Sequence, residues 1–259
     1  MKIFRSIYNS ILIQSFRHRL NRLIITRKRT WILSRTACLF NDTFQNMGLT
    51  TIPRYNIQKG RIDLWIDYFN GSRSKPNFDM IYNIEREDIK HLFFQQYHFK
   101  LNKNEEPSIF IMDSFSELVD RKFYSKNNNK YFFSYKSDII KDNLSILVDE
   151  GLIEPTNMFY LYNEFFDKFR KFYPNCPIIF IFFPSKLETR DSFLLRAKTI
   201  KNSIEQICKK FDNFCVISIP EEIIDYHPND KNPYHYSLNV YDYLACELKK
   251  NHYFKKLIS

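Results

Sequence analysis

Glycine is scarce in this sequence, with 4 residues among 259. Neither the Walker pattern G-x-x-x-x-G-K-[ST] nor the dinucleotide pattern G-x-G-x-x-G occurs, so the sequence has no loop of the kind that cradles nucleotide phosphates through backbone amides. The scarcity also argues against internal repeats and long flexible linkers. Nucleotide-binding classes defined by those two motifs are therefore excluded.

Cysteine is also sparse, and its spacing is uninformative for metal binding. The sequence has five cysteines, an odd number, and no C-x-x-C pair. This pattern is typical of a reducing cytoplasm and predicts neither a disulfide framework nor a zinc knuckle. We expect no metal site, and we expect most of the cysteines to be small buried hydrophobic residues.

Acidic residues are absent from the first 41 positions, which carry nine lysines and arginines. The remaining 218 residues hold 30 basic and 29 acidic side chains, so nearly the whole net charge of +10 lies at the amino terminus. No apolar run there is long enough to span a bilayer, and no small-residue cleavage site follows that would indicate a secretory signal. Apolar residues recur at spacings of three and four, which predicts a basic amphipathic helix within residues 1–30.

This amino-terminal arm has two main interpretations. It would lie on an anionic membrane face, or it would pack on the protein and expose only its charged side. Binding of nucleic acid ranks third, because a nucleic-acid enzyme normally carries its basic surface on the folded body, which here is neutral. We therefore predict an arm at 1–30, one α/β domain at 31–259, no nucleic-acid partner, and a cytoplasmic protein peripheral to the inner membrane.

Hydrophobic residues make up 44% of the chain and aromatic residues 17%, enough for a sizeable core. Apolar runs predict four strands, two of them nearly continuous in apolar character, as in strands covered on both faces. The predicted strands are Trp31–Ser34, Ser108–Met112, Pro177–Phe183 and Phe214–Ile219. Helical spacing of apolar residues predicts four helices, at Glu85–Phe99, Met158–Phe172, Ser192–Phe211 and Leu238–Lys250. The segment Ile62–Phe69 fits either a strand or a short helix. Segments 124–130 and 227–233 are predicted as loops. Alternation of strands and helices predicts an α/β fold with a mainly parallel sheet.

In such a sheet, functional groups gather beyond the carboxyl ends of the strands. His235 lies on a loop rich in proline and asparagine, just before the last long helix. Because imidazole changes charge near neutral pH, this histidine is a candidate for proton transfer. The other candidates are a thiol, hydroxyls, carboxylates and cations, a set that fits a nucleophile, a base and an orienting acid. They are Cys38, Asp42, Asp113, Ser114, Ser116, Lys186, Arg190 and Asp230.

Three segments resemble motifs of the SGNH (GDSL-like) hydrolase superfamily. They are Thr36-Ala-Cys-Leu-Phe-Asn-Asp42, Ile111-Met-Asp-Ser-Phe-Ser-Glu-Leu-Val-Asp120 and His235-Tyr-Ser-x-x-x-Tyr241. The likeness spans roughly Trp31 to Leu248 and is greatest to the branch whose first motif reads Gly-Ser-Cys followed by Arg-Asp. It implies a three-layer α/β/α sandwich with a flavodoxin-like strand order, and esterase or acyltransferase activity in polysaccharide biosynthesis.

The chain departs from that pattern at several positions. Thr36 and Ala37 replace the glycine and serine of the first motif, and Asn41 replaces its arginine. Asn232 stands where an aspartate is expected three residues before the histidine. No Gly-x-Asn-Asp block follows the second predicted strand, so the resemblance leaves the oxyanion side chain unassigned.

The resemblance implies a catalytic nucleophile, for which Cys38 and Ser114 compete. Ser114 lies in an Asp-Ser-x-Ser segment that imitates the Gly-Asp-Ser-x-Ser motif more literally, but it leaves too few strands before His235. We favour Cys38, with His235 as base and Asp230 as the acid that fixes its tautomer. We expect backbone N–H groups at the strand-to-helix turn to lower the pKa of the thiol.

The predicted function is an acyltransferase or esterase acting on a surface or capsular polysaccharide. No cofactor is required, although an acyl donor such as acetyl-CoA would suit a transferase, and Lys186 and Arg190 would meet its phosphates or an anionic substrate. Asp42, Asp113 and Ser116 complete the predicted substrate contacts. Two alternatives stay open: a catalytically silent SGNH-like module that binds glycan or a partner enzyme, and, ranked last, a glycosyltransferase-like enzyme, since the chain lacks an Asp-x-Asp metal motif.

Overall fold

A five-stranded parallel sheet is the centre of the computed structural model, which describes residues 16, 19–73, 84, 90–126, 130–139 and 147–259. Three further strands form a separate antiparallel sheet. The strands are β1 (Ile32–Arg35), β2 (Arg54–Asn56), β3 (Ile109–Asp113), β4 (Arg121–Ser125), β5 (Tyr131–Ser134), β6 (Leu147–Gly151), β7 (Ile178–Ile181) and β8 (Phe214–Ile217).

The order of the parallel sheet is β2-β1-β3-β7-β8, and every neighbouring pair is parallel. Counted along the chain, these five strands have the order 2-1-3-4-5 that is typical of flavodoxin-like sheets. Strands β1, β3 and β7 are buried at every position, which explains the continuous apolar sequences of β7 and of β3 as far as Met112. The predicted fold class is confirmed, and all four predicted strands are present.

Helices cover both faces of this sheet. They are α1 (Cys38–Asn46), α2 (Ile62–Phe69), α3 (Lys90–His98), α4 (Phe115–Val119), α5 (Met158–Phe172), α6 (Asp191–Ile207), α7 (Leu238–Lys250) and α8 (His252–Ile258). One group consists of α1 packed on α7, and another consists of α2, α5 and α6 packed side by side. Helix and sheet therefore form three layers.

Most of the predicted helices are confirmed within a few residues. Helices α5 and α7 have the predicted bounds. The open segment 62–69 is helical, because its buried residues include Ile62, Trp65 and Ile66 at helical spacing. In the predicted helix 85–99, residues 85–89 lie outside the described residues and 90–98 are helical.

The antiparallel sheet, in the order β5-β4-β6, differs from the sequence-based prediction, which contains no such sheet. It is inserted between β3 and α5, and residues 124 and 125, predicted as loop, belong to β4. Its strands are only four or five residues long, and β4 and β6 are interrupted by charged residues, so no window of the sequence shows a long apolar alternation. This insert is nevertheless important, because it supplies part of the wall of the cavity described below.

A buried ion pair joins the carboxyl ends of β1 and β3. The guanidinium of Arg35 donates two hydrogen bonds to the Glu117 carboxylate, at 2.5 and 2.7 Å, and one to the carbonyl of Asp113. Glu117 also accepts hydrogen bonds from the hydroxyl of Tyr162 and the backbone N–H of Ile62. Buried charges are tolerated when their hydrogen-bonding capacity is used in this way. The network gives the carboxyl rim of the sheet a rigid base.

Candidate active site

Cys38 is the first residue of α1 and follows the carboxyl end of β1. The turn that presents it is held by Asp113 at the end of β3, whose carboxylate accepts the N–H of Ala37 at 2.7 Å and that of Phe115 at 3.0 Å. From β1 the chain continues to β2 on one side, and from β3 it continues to β7 on the other. Cys38 therefore lies at the topological switch point, where ligands bind in open α/β sheets.

His235 is held on the loop between β8 and α7. Its Nδ1 lies 2.5 Å from the Oδ2 atom of Asp230, and its backbone N–H donates to the carbonyl of Asn232. The other oxygen of Asp230 accepts the N–H of Asn232, the local bond by which aspartate stabilises a turn. This N–H and the bond to His235 hold the pKa of Asp230 below its ordinary value. The carboxylate is therefore available to orient the imidazole.

The thiol and the imidazole line the same cavity, which has a volume of about 690 Å³. The thiol of Cys38 donates to the carbonyl of Tyr234, the residue before His235, at 4.0 Å. Asp42 lies one turn further along α1; burial raises the pKa of its carboxyl, and the nearby charge of His235 opposes that rise. Folding thus gathers Cys38, Asp42, Asp230 and His235 from opposite ends of the sequence.

Burial dominates the electrostatics of the Cys38 thiol. It raises the pKa of Cys38 to about 12, and the carboxylates of Asp42 and Asp113 act in the same direction. The backbone N–H groups of Cys38 and Leu39 oppose the rise, but burial outweighs them. The N–H groups of the turn thus act in the predicted direction, but the net pKa of this thiol is raised and not lowered. A thiol with this pKa is protonated at neutral pH, as a serine hydroxyl is.

This raised pKa predicts slow alkylation of Cys38 at neutral pH. Only the thiolate reacts, and at pH 8 an ordinary thiol is roughly a quarter ionised, whereas a pKa of about 12 leaves roughly one molecule in 10⁴ ionised. We expect iodoacetamide to label Cys38 roughly 10³-fold more slowly than the exposed Cys246, with the Cys38 rate rising about tenfold per pH unit. Peptide mass spectrometry of a labelling time course measures both sites in one sample. Faster labelling of Cys38 than of Cys246 at pH 7 would instead indicate a thiolate–imidazolium pair.

Arg190, one of the predicted cations, also lines the cavity, but its charge is already paired. Its guanidinium donates to the Glu188 carboxylate at 2.6 and 2.8 Å and to the hydroxyl of Tyr234 at 2.6 Å. Tyr234 in turn donates to Glu188. Chiefly the bonds from Arg190 hold the pKa of Glu188 at about 2. The three side chains fasten the loop that carries His235 to the cavity wall.

The remaining predicted residues lie apart from His235. The buried Ser114 accepts the N–H of Phe183 at 3.0 Å and lines a second cavity of about 280 Å³ together with Lys186, which donates to the carbonyl of Ile224. Ser116 is buried and donates to Asp120 and to a backbone carbonyl. Asp113 is fully buried, and burial raises its pKa to about 7. Asp113, Ser114 and Ser116 form the turn after β3, and neither they nor Lys186 line the cavity that holds the imidazole.

Sequence reasoning missed several residues of that cavity. They come from the loop after β2, from the inserted sheet and the segment after it, and from the start of α4, and they are Gln58, Lys59, Phe115, Arg121, Tyr135, Lys136 and Asp138. The Nζ atom of Lys59 lies 3.2 Å from the Oδ1 atom of Asp120, 3.4 Å from the Oδ2 atom of Asp138 and 3.8 Å from the centre of the Tyr135 ring. The short aromatic run Tyr131-Phe-Phe133 is the one sequence signal that indicates this wall.

Neither a metal centre nor a membrane-spanning helix is present in the part of the chain that the structure describes. No group of three or more histidine, cysteine or acidic side chains is arranged to hold a metal ion among these residues. Within the same described ranges, no helix combines the length and apolar character that crossing a membrane requires.

Comparison with known proteins finds likeness in structure and not in sequence. No protein-family model matches the chain, and no curated protein matches it. A protein described as a GDSL-like lipase from Bacteroides ovatus has a TM-score of 0.44 at 11% identity, over 89% of this chain and 54% of that one. An acetyl xylan esterase from Butyrivibrio proteoclasticus has a TM-score of 0.37 at 11% identity, over 87% and 60% of the two chains.

A family two carbohydrate esterase from Cellvibrio japonicus has a TM-score of 0.41 at 11% identity, over 89% of this chain and 63% of that one. This chain therefore spans less than two thirds of each of these three structures. The likeness concerns the fold. Its strand order and its three layers give the described part of the chain a three-layer α/β/α fold with a flavodoxin-like sheet.

Proposed function

We propose that this protein cleaves or transfers acyl esters through a thioester on Cys38. The observation that carries the proposal is the convergence of Cys38 and His235 on one cavity, with the thiol against the carbonyl next to the histidine and Asp230 bonded to the imidazole. A nucleophile, a base and an acid that orients the base are the groups that acyl transfer requires.

The reaction would proceed in two steps, formation of the thioester and its breakdown. The Nε2 atom of His235, on the side of the ring away from Asp230, takes the proton of the Cys38 thiol while the sulfur attacks the ester carbonyl, and the backbone N–H groups of Cys38 and Leu39 stabilise the oxyanion. The imidazolium then gives that proton to the departing alkoxide, which leaves a thioester. In the second step His235 deprotonates water or a sugar hydroxyl, whose oxygen attacks the thioester carbonyl. The C–S bond then breaks, the imidazolium returns the proton to the Cys38 sulfur, and the carboxylic acid or the new sugar ester leaves.

The cavity supports a substrate larger than the acyl group itself. Its volume of about 690 Å³ lies within the range of sites that enclose small molecules. Phe115, Tyr135, Phe193 and Tyr234 supply aromatic surfaces, beside the amides of Gln58 and Asn232. Aromatic faces with neighbouring polar groups suit a sugar ring, which has apolar faces and hydroxyl edges. A polysaccharide ester is the substrate class we propose.

The contacts of the cations argue against acetyl-CoA as the donor. Lys186 lies in the second cavity and donates to a backbone carbonyl, and Arg190 is bound to Glu188. Both predicted phosphate contacts are thus already engaged by groups of the protein. An acyl ester as donor fits these contacts better, with water or a second hydroxyl as acceptor.

A second candidate, a glycan-binding module without turnover, is favoured by two observations. Burial raises the pKa of the Cys38 thiol to about 12. In addition, Phe115 lines the cavity after β3, the region from which the SGNH resemblance would draw an oxyanion side chain. Both features would suit a site that retains the fold but has lost catalysis.

An ester-cleavage assay separates the two candidates. We expect the protein to release p-nitrophenol from p-nitrophenyl acetate at least about 10³-fold faster than the uncatalysed reaction, and to release acetate from acetylated oligosaccharides. The variant Cys246→Ser, altered at an exposed cysteine, should match the wild type. Added free sugar that becomes acetylated would identify transfer rather than hydrolysis. Binding of acetylated oligosaccharide with no turnover of either substrate would contradict the enzyme proposal.

A further inference from the structure

A helical segment at residues 19–26 lies before β1 and exposes large apolar side chains. Their relative exposures are 45% for Leu20, 37% for Leu23 and 52% for Ile24, and Phe16, also helical, is 66% exposed. Scattered exposed apolar residues are ordinary on protein surfaces. Leu20, Leu23 and Ile24 lie together on adjacent turns of the 19–26 segment, and Phe16 lies four positions before Leu20 in the sequence.

The spacing of these residues places them on one side of the helix. Positions 16, 20, 23 and 24 differ by four, three and one, which at 3.6 residues per turn forms a stripe roughly 100° wide. The opposite side faces the protein: Ile25 packs against the core, and Thr26 is buried. Arg22 donates to the carbonyl of Lys100 at 3.1 Å. The segment is therefore fastened to the body with its apolar stripe directed outward.

Exposed cations flank this stripe in the sequence, and none of them forms an ion pair within the described residues. Arg19, Arg27, Lys28 and Arg29 are exposed, and the first acidic residue of the chain is Asp42. An apolar stripe beside a basic surface is the pattern of helices that lie in the interface of anionic membranes, where the apolar side enters the acyl boundary and the cations meet lipid phosphates.

We propose that this outward stripe, Phe16, Leu20, Leu23 and Ile24 with its flanking cations, docks on an anionic membrane surface. Charge complementarity selects this occupant. A second copy of the chain would bring one strongly basic segment against another, and nucleic acid would engage the cations but give the apolar stripe no role. The inference is independent of catalysis, because the segment leads into the amino end of β1 whereas Cys38 follows its carboxyl end.

Vesicle co-sedimentation of the full chain tests the proposal. We expect binding to vesicles that contain phosphatidylglycerol, little binding to pure phosphatidylcholine, and weaker binding as salt increases. The triple variant Leu20→Glu, Leu23→Glu, Ile24→Glu should lower the partition coefficient roughly tenfold or more, and so should Arg27→Glu, Lys28→Glu, Arg29→Glu. The matched control Leu195→Glu changes a leucine on α6 that is 57% exposed and should bind as the wild type does.

Thermal melts of the variants should match the wild type, since every altered side chain is exposed. Equal binding to both kinds of vesicle, or to neither, would overturn the proposal. The proposal would also be overturned if the protein bound an oligonucleotide tightly and the variant Leu20→Glu, Leu23→Glu, Ile24→Glu bound it equally well. That result would assign the segment to nucleic acid. Light scattering that shows a dimer abolished by the same substitutions would assign the stripe to self-association and overturn it as well.

Discussion

Replacing Cys38 by alanine is expected to abolish ester turnover, with kcat falling roughly 10⁴-fold or more, because loss of the nucleophile removes the covalent path. Among the described hydrogen bonds the thiol makes one weak contact, to the carbonyl of Tyr234 at 4.0 Å, so the thermal melt should change little. Initial rates of p-nitrophenyl acetate cleavage measure the effect. Cys246→Ser, at an exposed cysteine, is the matched control and should retain the wild-type rate.

The variant Cys38→Ser sharpens this prediction. A thiol whose pKa is about 12 is protonated at neutral pH and depends on a base, as a hydroxyl does. The serine hydroxyl would meet the same carbonyl and the same N–H groups, so we expect turnover within about 10²-fold of the wild type. If Cys38→Ala retained full activity, Cys38 could not be the nucleophile, whatever the serine variant did.

Replacing His235 by asparagine is expected to lower kcat by roughly 10² to 10⁴-fold, the usual contribution of a positioned general base. Asparagine cannot take the thiol proton, although its short polar side chain suits the loop. His227→Asn is the matched control, because His227 lies in the same loop and its Nδ1 accepts only a local N–H among its described side-chain bonds. Rates from both variants, measured at one pH, compare the two histidines directly.

The reverse result would contradict the assignment of His235 as the base. If His227→Asn lost activity and His235→Asn did not, the proton would leave the thiol by another route. Asp230→Asn should fall between the wild type and His235→Asn, because the amide still contacts the imidazole but cannot stabilise its charge.

Much of the fold could be predicted from the sequence because its central strands are buried on both faces. The continuous apolar runs at 109–112 and 178–181 are typical of such strands, and the helices that follow them show clear helical spacing. The inserted sheet could not be predicted in the same way, since strand Arg121–Ser125 buries only Phe123. Its pairing depends on partners distant in sequence, and a short strand carries too little pattern to reveal them.

Part of the candidate site could likewise be predicted from the sequence, and part of it could not. The topology of a parallel sheet brings residues after different strands to one rim, which is why Cys38 and His235 could be predicted together. Whether a given side chain points into the cavity depends on the local turn, so Ser114, at the same rim, instead bonds to Phe183 and is buried. The raised pKa of Cys38 could not be predicted from the sequence either, because burial of the thiol depends on the complete packing around the turn.

Trapping the acyl-enzyme tests most directly whether Cys38 is the nucleophile. The full chain is mixed with an aryl acetate, quenched in acid within the first turnover, digested and mapped by mass spectrometry. We predict an acetyl group on the peptide that contains Cys38, lost when hydroxylamine cleaves the thioester and absent from Cys38→Ala. An acetyl group on Ser114, or full turnover with no acyl-enzyme on Cys38, would contradict this mechanism.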